Sequence, residues 1–164
     1  MSRKFAKVYP NVWKSKKLRE VSAKAKLLAM YFLTSPSYCM VGIYEQPQEL
    51  IRKHTGLNQD YLDQAMHELF EVDFIRYDYD TEVVWVVDMA LSQVADGRLS
   101  ERQQKGVLNE LARLDIECQY PFVDDFIERY RSKYDFLLNR PYFTRYFPVS
   151  FGTAFHTLPE TTDY

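Results

Sequence analysis

The chain has 164 residues, 46% of them hydrophobic, and a net charge of −2 at neutral pH. Such a length and apolar content suit one domain with an extension and a true buried core, and exclude a disordered polar chain. No apolar run approaches the roughly 20 residues of a membrane span, so a helical membrane protein is excluded as well. The opening MSRKFAKVYP has no apolar core of the signal-peptide kind, and Cys39 and Cys118 stand apart without metal-ligand spacing. Reduced, inert thiols and a cytoplasmic location are the expectation.

Charge is unevenly spread. Residues 1–26 hold nine Lys and Arg against one acid, Glu20, whereas residues 45–91 hold eleven acids against Arg52, Lys53 and Arg76. A basic start followed by an acidic middle says more about partners than the total does.

The stretch KFAKVYPNVWKSKKLREVS reads as a mostly extended basic strap with a short helical turn over 14–19. Val8, Tyr9, Val12 and Trp13 are expected to pack on the core. Ser22 then caps a helix whose Leu27, Leu28, Tyr31 and Phe32 recur on one face, and Thr34-Ser35-Pro36-Ser37 ends it. Residues 41–45 form a short strand.

Next comes QPQELIRKHTGLNQDYLDQAMHELFE, residues 46–71. Pro47 suits a first helical position, with Leu50 and Ile51 as the apolar face behind it. Gly56 can take the left-handed conformation that ends a helix, and Asn58 caps a second one. There Tyr61, Leu62, Ala65, Met66, Leu69 and Phe70 fall at spacings of three and four. This is a helix-turn-helix pattern, in which the second helix often reads a DNA major groove.

Residues 74–78 and 82–88 are strand-like, joined by Tyr79-Asp80-Thr81 as a hairpin. Helix, strand, helix, helix, hairpin is the element order of a winged helix. Its expected core is Leu27, Leu28, Tyr31, Leu50, Ile51, Leu62, Met66, Leu69, Phe74, Ile75, Val84 and Val86.

Asp96-Gly97 marks a boundary. Ser100 caps a helix bearing Val107, Leu108, Leu111 and Leu114, and Tyr120-Pro121 opens another bearing Phe122, Val123, Phe126, Ile127, Tyr130 and Tyr134. Two such short helices need the first domain or a second copy to cover them. From residue 139 the chain is aromatic and irregular. Arg140 and Arg145 are interleaved there with Tyr142, Phe143, Tyr146 and Phe147, a composition that favours a subunit interface over base stacking, so a homodimer is expected.

The stretches KVYPNVWKSKKLREVSAKAKLLAMYFLTSP, GIYEQPQELIRKHTGL and ELFEVDFIRYDYDTEVVWVVDMALSQ together resemble the N-terminal winged-helix domain of bacteriophage replisome-organiser and replication-initiator proteins. The resemblance covers residues 7–93 and continues weakly through 101–114 and FVDDFIERY. It implies binding to phage origin double-stranded DNA during replication, with protein partners from the replication machinery.

Two sets of contact residues follow. For DNA, Lys14, Lys16, Lys17, Arg19, Lys24 and Lys26 would meet phosphates, with Arg52 and Lys53 extending the patch and Gln59, Gln64 and His67 offered to base edges. Yet Asp60, Asp63, Glu68 and Glu71 share that second helix with no Lys or Arg, and four carboxylates oppose a groove of like charge. The hairpin is acidic too, with Asp78, Asp80 and Glu82. Those seven acids are the contact set of the alternative, a protein-binding regulator or inhibitor that could imitate DNA against a replication or host-defence protein. The bland alternative for both sets is a solvated face.

Enzyme chemistry finds no motif: no phosphate-cradling Gly-rich loop, no Gly-x-Ser-x-Gly and no Cys/His cluster. Asp60, Asp63 and His67 share one helix face but lack a ligand from elsewhere, so no metal or other cofactor is expected. The expected fold is α+β, mainly α. It consists of a winged helix-turn-helix with its basic strap over 1–95, a helical extension over 96–138 and an irregular aromatic tail over 139–164.

Overall fold

The computed structural model describes residues 6–93 and 99–137. The fold is α+β, mainly helical, with one small antiparallel sheet. The chain divides into two units, residues 1–126 and 127–164. The boundary expected at Asp96-Gly97 and the aromatic segment from residue 139 lie outside the described residues.

The first unit opens on a 3-10 turn, Pro10–Lys14, and a single helical turn, α1 (Lys16–Arg19). Then follow α2 (Ala23–Thr34), β1 (Ile43–Glu45), α3 (Gln48–Thr55), α4 (Gln59–Glu71), β2 (Ile75–Asp78) and β3 (Val83–Val86). The sheet order is β1-β3-β2, with Tyr44 opposite Val84 and Tyr77 opposite Val84 on its other side. A short helix, α5 (Met89–Gln93), was not foreseen; α6 (Glu101–Ala112) follows and runs into a π-helical turn at Arg113–Glu117. Finally α7 (Val123–Tyr130) spans the division between the units.

Local chemistry explains where these elements begin and end. The Ser22 hydroxyl accepts from the Ala25 N–H at 3.2 Å, and the Asn58 side chain accepts from the Tyr61 N–H at 2.9 Å. Ser100 and Gln103 close a reciprocal capping box. Gly56 ends α3 at φ +74, where a side chain would be strained. Gly42, also at positive φ, leads into β1; a Cβ there would lie 2.7 Å from the Val86 carbonyl oxygen, so the close strand approach admits no side chain.

The core gathers Leu18, Ala25, Leu28, Ala29, Phe32, Tyr44, Ile51, Leu62, Ala65, Met66, Leu69, Ile75, Val84 and Val86. The buried stripe of α2 is thus Ala25, Leu28, Ala29 and Phe32, rotated from the expected one. Leu27 and Leu50, expected inside, are exposed, as are Tyr61 and Phe70 on α4, while Tyr31 and Phe74 are half-buried. Small Ala25, Ala29 and Ala65 let α2 and α4 pack closely, which turns the bulkier side chains to their flanks. The start of the strap is looser than expected: of Val8, Tyr9, Val12 and Trp13, Val12 alone packs against the core and the other three are exposed. Beyond β3, Trp85 meets Phe122 and Phe126 at ring-centroid distances of 6.2 and 6.3 Å, which ties the α6–α7 connection to the sheet.

In the second unit, the end of α7 leads to a 3-10 turn, Asp135–Leu137, not the continued helix expected as far as Tyr134. Tyr134 lies between Tyr130 and Phe136 in a run of tilted rings.

Candidate functional site

The strap is held by one cation. Leu18 of α1 is buried, and the neighbouring Lys17 places its Nζ 2.6 Å from the Asp88 carboxylate and 2.7 Å from the Asp73 carbonyl, so that it donates to both. Asp73 precedes β2 and Asp88 follows β3, so Lys17 ties the strap to the two ends of the hairpin. Lys17, expected among the phosphate ligands, is here paired within the chain at a part-exposed position.

Anchoring Lys17 and Leu18 fixes the rest of α1. Lys16 and Arg19, three residues apart, share a helix face and are exposed, with exposed Lys14 just before them. From α2, the Lys26 Nζ approaches the Arg19 carbonyl at 3.4 Å. This sets the Lys26 ammonium against the backbone end of α1. Lys24 leans the other way, its Nζ 3.0 Å above the Tyr61 ring of α4, a cation–π contact that occupies but does not neutralise it. Arg52 and Lys53 are exposed on a separate element, the last turn of α3, where they also complement the helix dipole.

The α4 residues sort differently. Gln59 donates to Gln48 at 3.0 Å and to Asp63 at 2.8 Å, so its amide N–H group bridges α3 and α4. Gln64 and His67 are exposed. Glu68, counted among the docking acids, accepts the Ser22 backbone N–H at 2.6 Å and so caps α2 from a distance.

Two hairpin acids are structural as well. Asp78 accepts from the Thr81 N–H at 2.8 Å and the Thr81 hydroxyl at 2.7 Å, closing the turn. Those bonds hold its carboxyl below the usual range. Glu82 sits at φ +53 and accepts the Gln48 N–H at 3.0 Å, which satisfies the first turn of α3. Asp60, Asp63, Glu71 and Asp80 remain as outward acids, all exposed.

Several residues that shape the surface escaped the sequence reading. Phe70 and Tyr79 are 50% and 59% exposed and flank a groove of ≈ 260 Å³ between α4 and the hairpin, lined also by Asp63, Met66, His67, Ile75 and Tyr77. Burial, and then the charge of Asp63, pushes the Tyr79 hydroxyl up; burial, and then Glu82, does the same for Tyr77. In the sequence Phe70 read only as part of the apolar spacing of α4 and Tyr79 only as part of the hairpin connection. Also missed was a polar cluster at the α2–α3 contact. Buried Gln46 donates to the Tyr31 hydroxyl at 2.8 Å, and that hydroxyl pairs with His54 Nδ1 at 2.9 Å.

Among the described residues, no group of three His, Cys, Asp or Glu is placed to hold a metal ion, and no helix is long and apolar enough to cross a membrane. No family model, no curated protein and no solved structure matches the chain.

Proposed function

We propose that the protein is a phage-type, replication-associated DNA-binding protein that uses a winged-helix domain and carries out no chemistry of its own. The fold part of this reading is supported by element order and pairing. Helix, strand, two helices and a hairpin, with the first strand beside the last, is the layout of a winged helix, in which α4 takes the recognition position and β2–β3 the wing.

One observation carries the DNA part: Lys17 pins the strap to the hairpin, and Lys14, Lys16 and Arg19 on that strap are exposed, with the Lys26 ammonium bonded to the Arg19 carbonyl. A pinned cationic ridge meets phosphates without first having to be ordered. Trp13 and Tyr9 stand exposed on the same strap. Phosphate contact from this ridge predicts affinity that is salt-dependent and tolerant of sequence. Gln64 and His67 are then the residues left on α4 to read bases. A fluorescence-anisotropy titration of duplex DNA tests the reading: Lys16→Glu with Arg19→Glu weakens every duplex alike, and retained affinity rejects it.

A second reading, a protein-binding regulator or inhibitor, has its own observation. Asp60, Asp63, Glu71 and Asp80 are outward on α4 and the wing, a face that repels phosphate and suits a basic protein.

A further inference from the structure

The groove between α4 and the wing has the chemistry of a cation receptor. Its walls are aromatic: Tyr77 and Tyr79 meet edge to face, centroids 5.0 Å apart and planes at 71°, with Phe70 across from them. The Asp63 carboxylate lies on the same lining, and exposed Asp60, Glu71 and Asp80 stand on the two elements that form it. At ≈ 260 Å³ the groove is smaller than the roughly 300–1,000 Å³ of small-molecule sites, so it suits a side chain better than a metabolite.

The surface already shows what it prefers. The Arg76 guanidinium lies 4.7 Å from the Phe70 ring centroid while paired to Asp73 at 2.6 Å, and Lys24 lies over Tyr61. An aromatic face with a carboxylate beside it holds a guanidinium well, because the planar ion stacks and pairs at once.

We infer that this groove docks a basic segment of a partner protein, with one arginine side chain seated between Tyr79, Phe70 and Asp63. The inference deepens the second reading above and is independent of DNA contact by the strap. Charge complementarity selects the occupant. Nucleic acid is disfavoured by the four outward acids, and a bare apolar helix would bring no cation to the Asp63 carboxylate, which the neutral Gln59 amide bonds at 2.8 Å without balancing its charge.

The test uses the full chain and three fluorescein-labelled peptides, octa-arginine, octa-lysine and octa-glutamate, with anisotropy as the readout. Octa-arginine binds tighter than octa-lysine, and octa-glutamate does not bind. Tyr79→Ala and Asp63→Asn, both at exposed positions, each weaken octa-arginine about fivefold. Glu101→Gln, which removes one charge far along the chain, leaves it unchanged. Equal losses for Glu101→Gln and Asp63→Asn reduce the effect to bulk charge and overturn the proposal, as does an unaffected Tyr79→Ala. Affinity for duplex DNA is measured on the same variants. Its retention alongside peptide loss supports the groove, and its loss in step with peptide binding makes the groove a nucleic-acid site and overturns the protein partner.

Discussion

Lys17 and Asp88 are 71 residues apart in the chain, yet the Nζ of one lies 2.6 Å from the carboxylate of the other. The contact fastens the basic strap to the base of the β2–β3 hairpin. It also separates one lysine of the run from its neighbours: Lys17 serves the fold, and Lys14, Lys16 and Arg19 are left to face outward.

Lys17→Met is therefore expected to act on stability more than on binding. Both partners are partly exposed, so solvent screening limits the loss to about 1 kcal/mol. Urea denaturation of the single variants and of Lys17→Met with Asp88→Asn checks this. The double variant loses less than the sum of the two singles if the pair acts as a unit.

Glu68→Ala exposes the start of α2. It removes the acceptor of the Ser22 N–H while leaving the Ser22 hydroxyl cap intact. A loss of about 1 kcal/mol is expected, with earlier amide exchange in the first turn of α2. An unchanged exchange pattern would mean that water replaces the carboxylate.

At Glu82 two effects oppose each other. The left-handed backbone is strained for any residue with a Cβ, by about 1 kcal/mol, while the carboxylate satisfies the Gln48 N–H. Glu82→Gly relieves the first and loses the second, so stability changes little. Glu82→Ala loses the carboxylate and keeps the strain, and it should fall about 1 kcal/mol below Glu82→Gly in the same denaturation series.

Packing around Cys39, and then the charge of Glu110, pushes its thiol up to about 11. An unfolded thiol titrates at about 8.5, so between these values the unfolded chain releases its proton first. Stability is complete below that window and declines as pH rises through it. Cys39→Ala should flatten the decline. In the folded chain at pH 8, alkylation of Cys39 runs on the order of a hundredfold slower than that of free cysteine. Alkylation as fast as free cysteine would show an open site.

Much of this was legible from local chemistry. Ser22, Asn58, Ser100 and Gly56 end or begin helices through groups within three or four residues of themselves, and the sequence carries all of that information. The hairpin followed from the strand-like runs at 74–78 and 82–88, whereas the pairing of β1 with β3 did not. The helical stripes were legible only to within a rotation. Leu27, Tyr61 and Phe70 fit apolar spacing, but Ala25, Ala29 and Ala65 allow the close approach of α2 and α4, with the larger side chains outward; Leu50 on α3 is exposed as well. The site was least legible. Whether a charged residue faces water or a partner 46 or 71 residues away is decided by the fold, so Glu68 and Lys17 read as surface charges until their partners were seen. The α4–hairpin groove has the same origin, since Phe70 and Tyr79 line one groove only once the hairpin folds back.

The central claim is that Lys14, Lys16, Arg19 and Lys26 meet DNA phosphates from a strap fixed by Lys17. The most direct measurement is duplex affinity across a range of salt concentrations, for the unaltered chain and for one with those four residues changed to Gln. Each phosphate contact contributes about 0.9 to the slope of log affinity against log salt. The account predicts a steep slope for the unaltered chain and one shallower by roughly 3 to 4 in the variant, for every duplex sequence tested. Equal slopes, or an unaltered chain whose binding ignores salt, would contradict it.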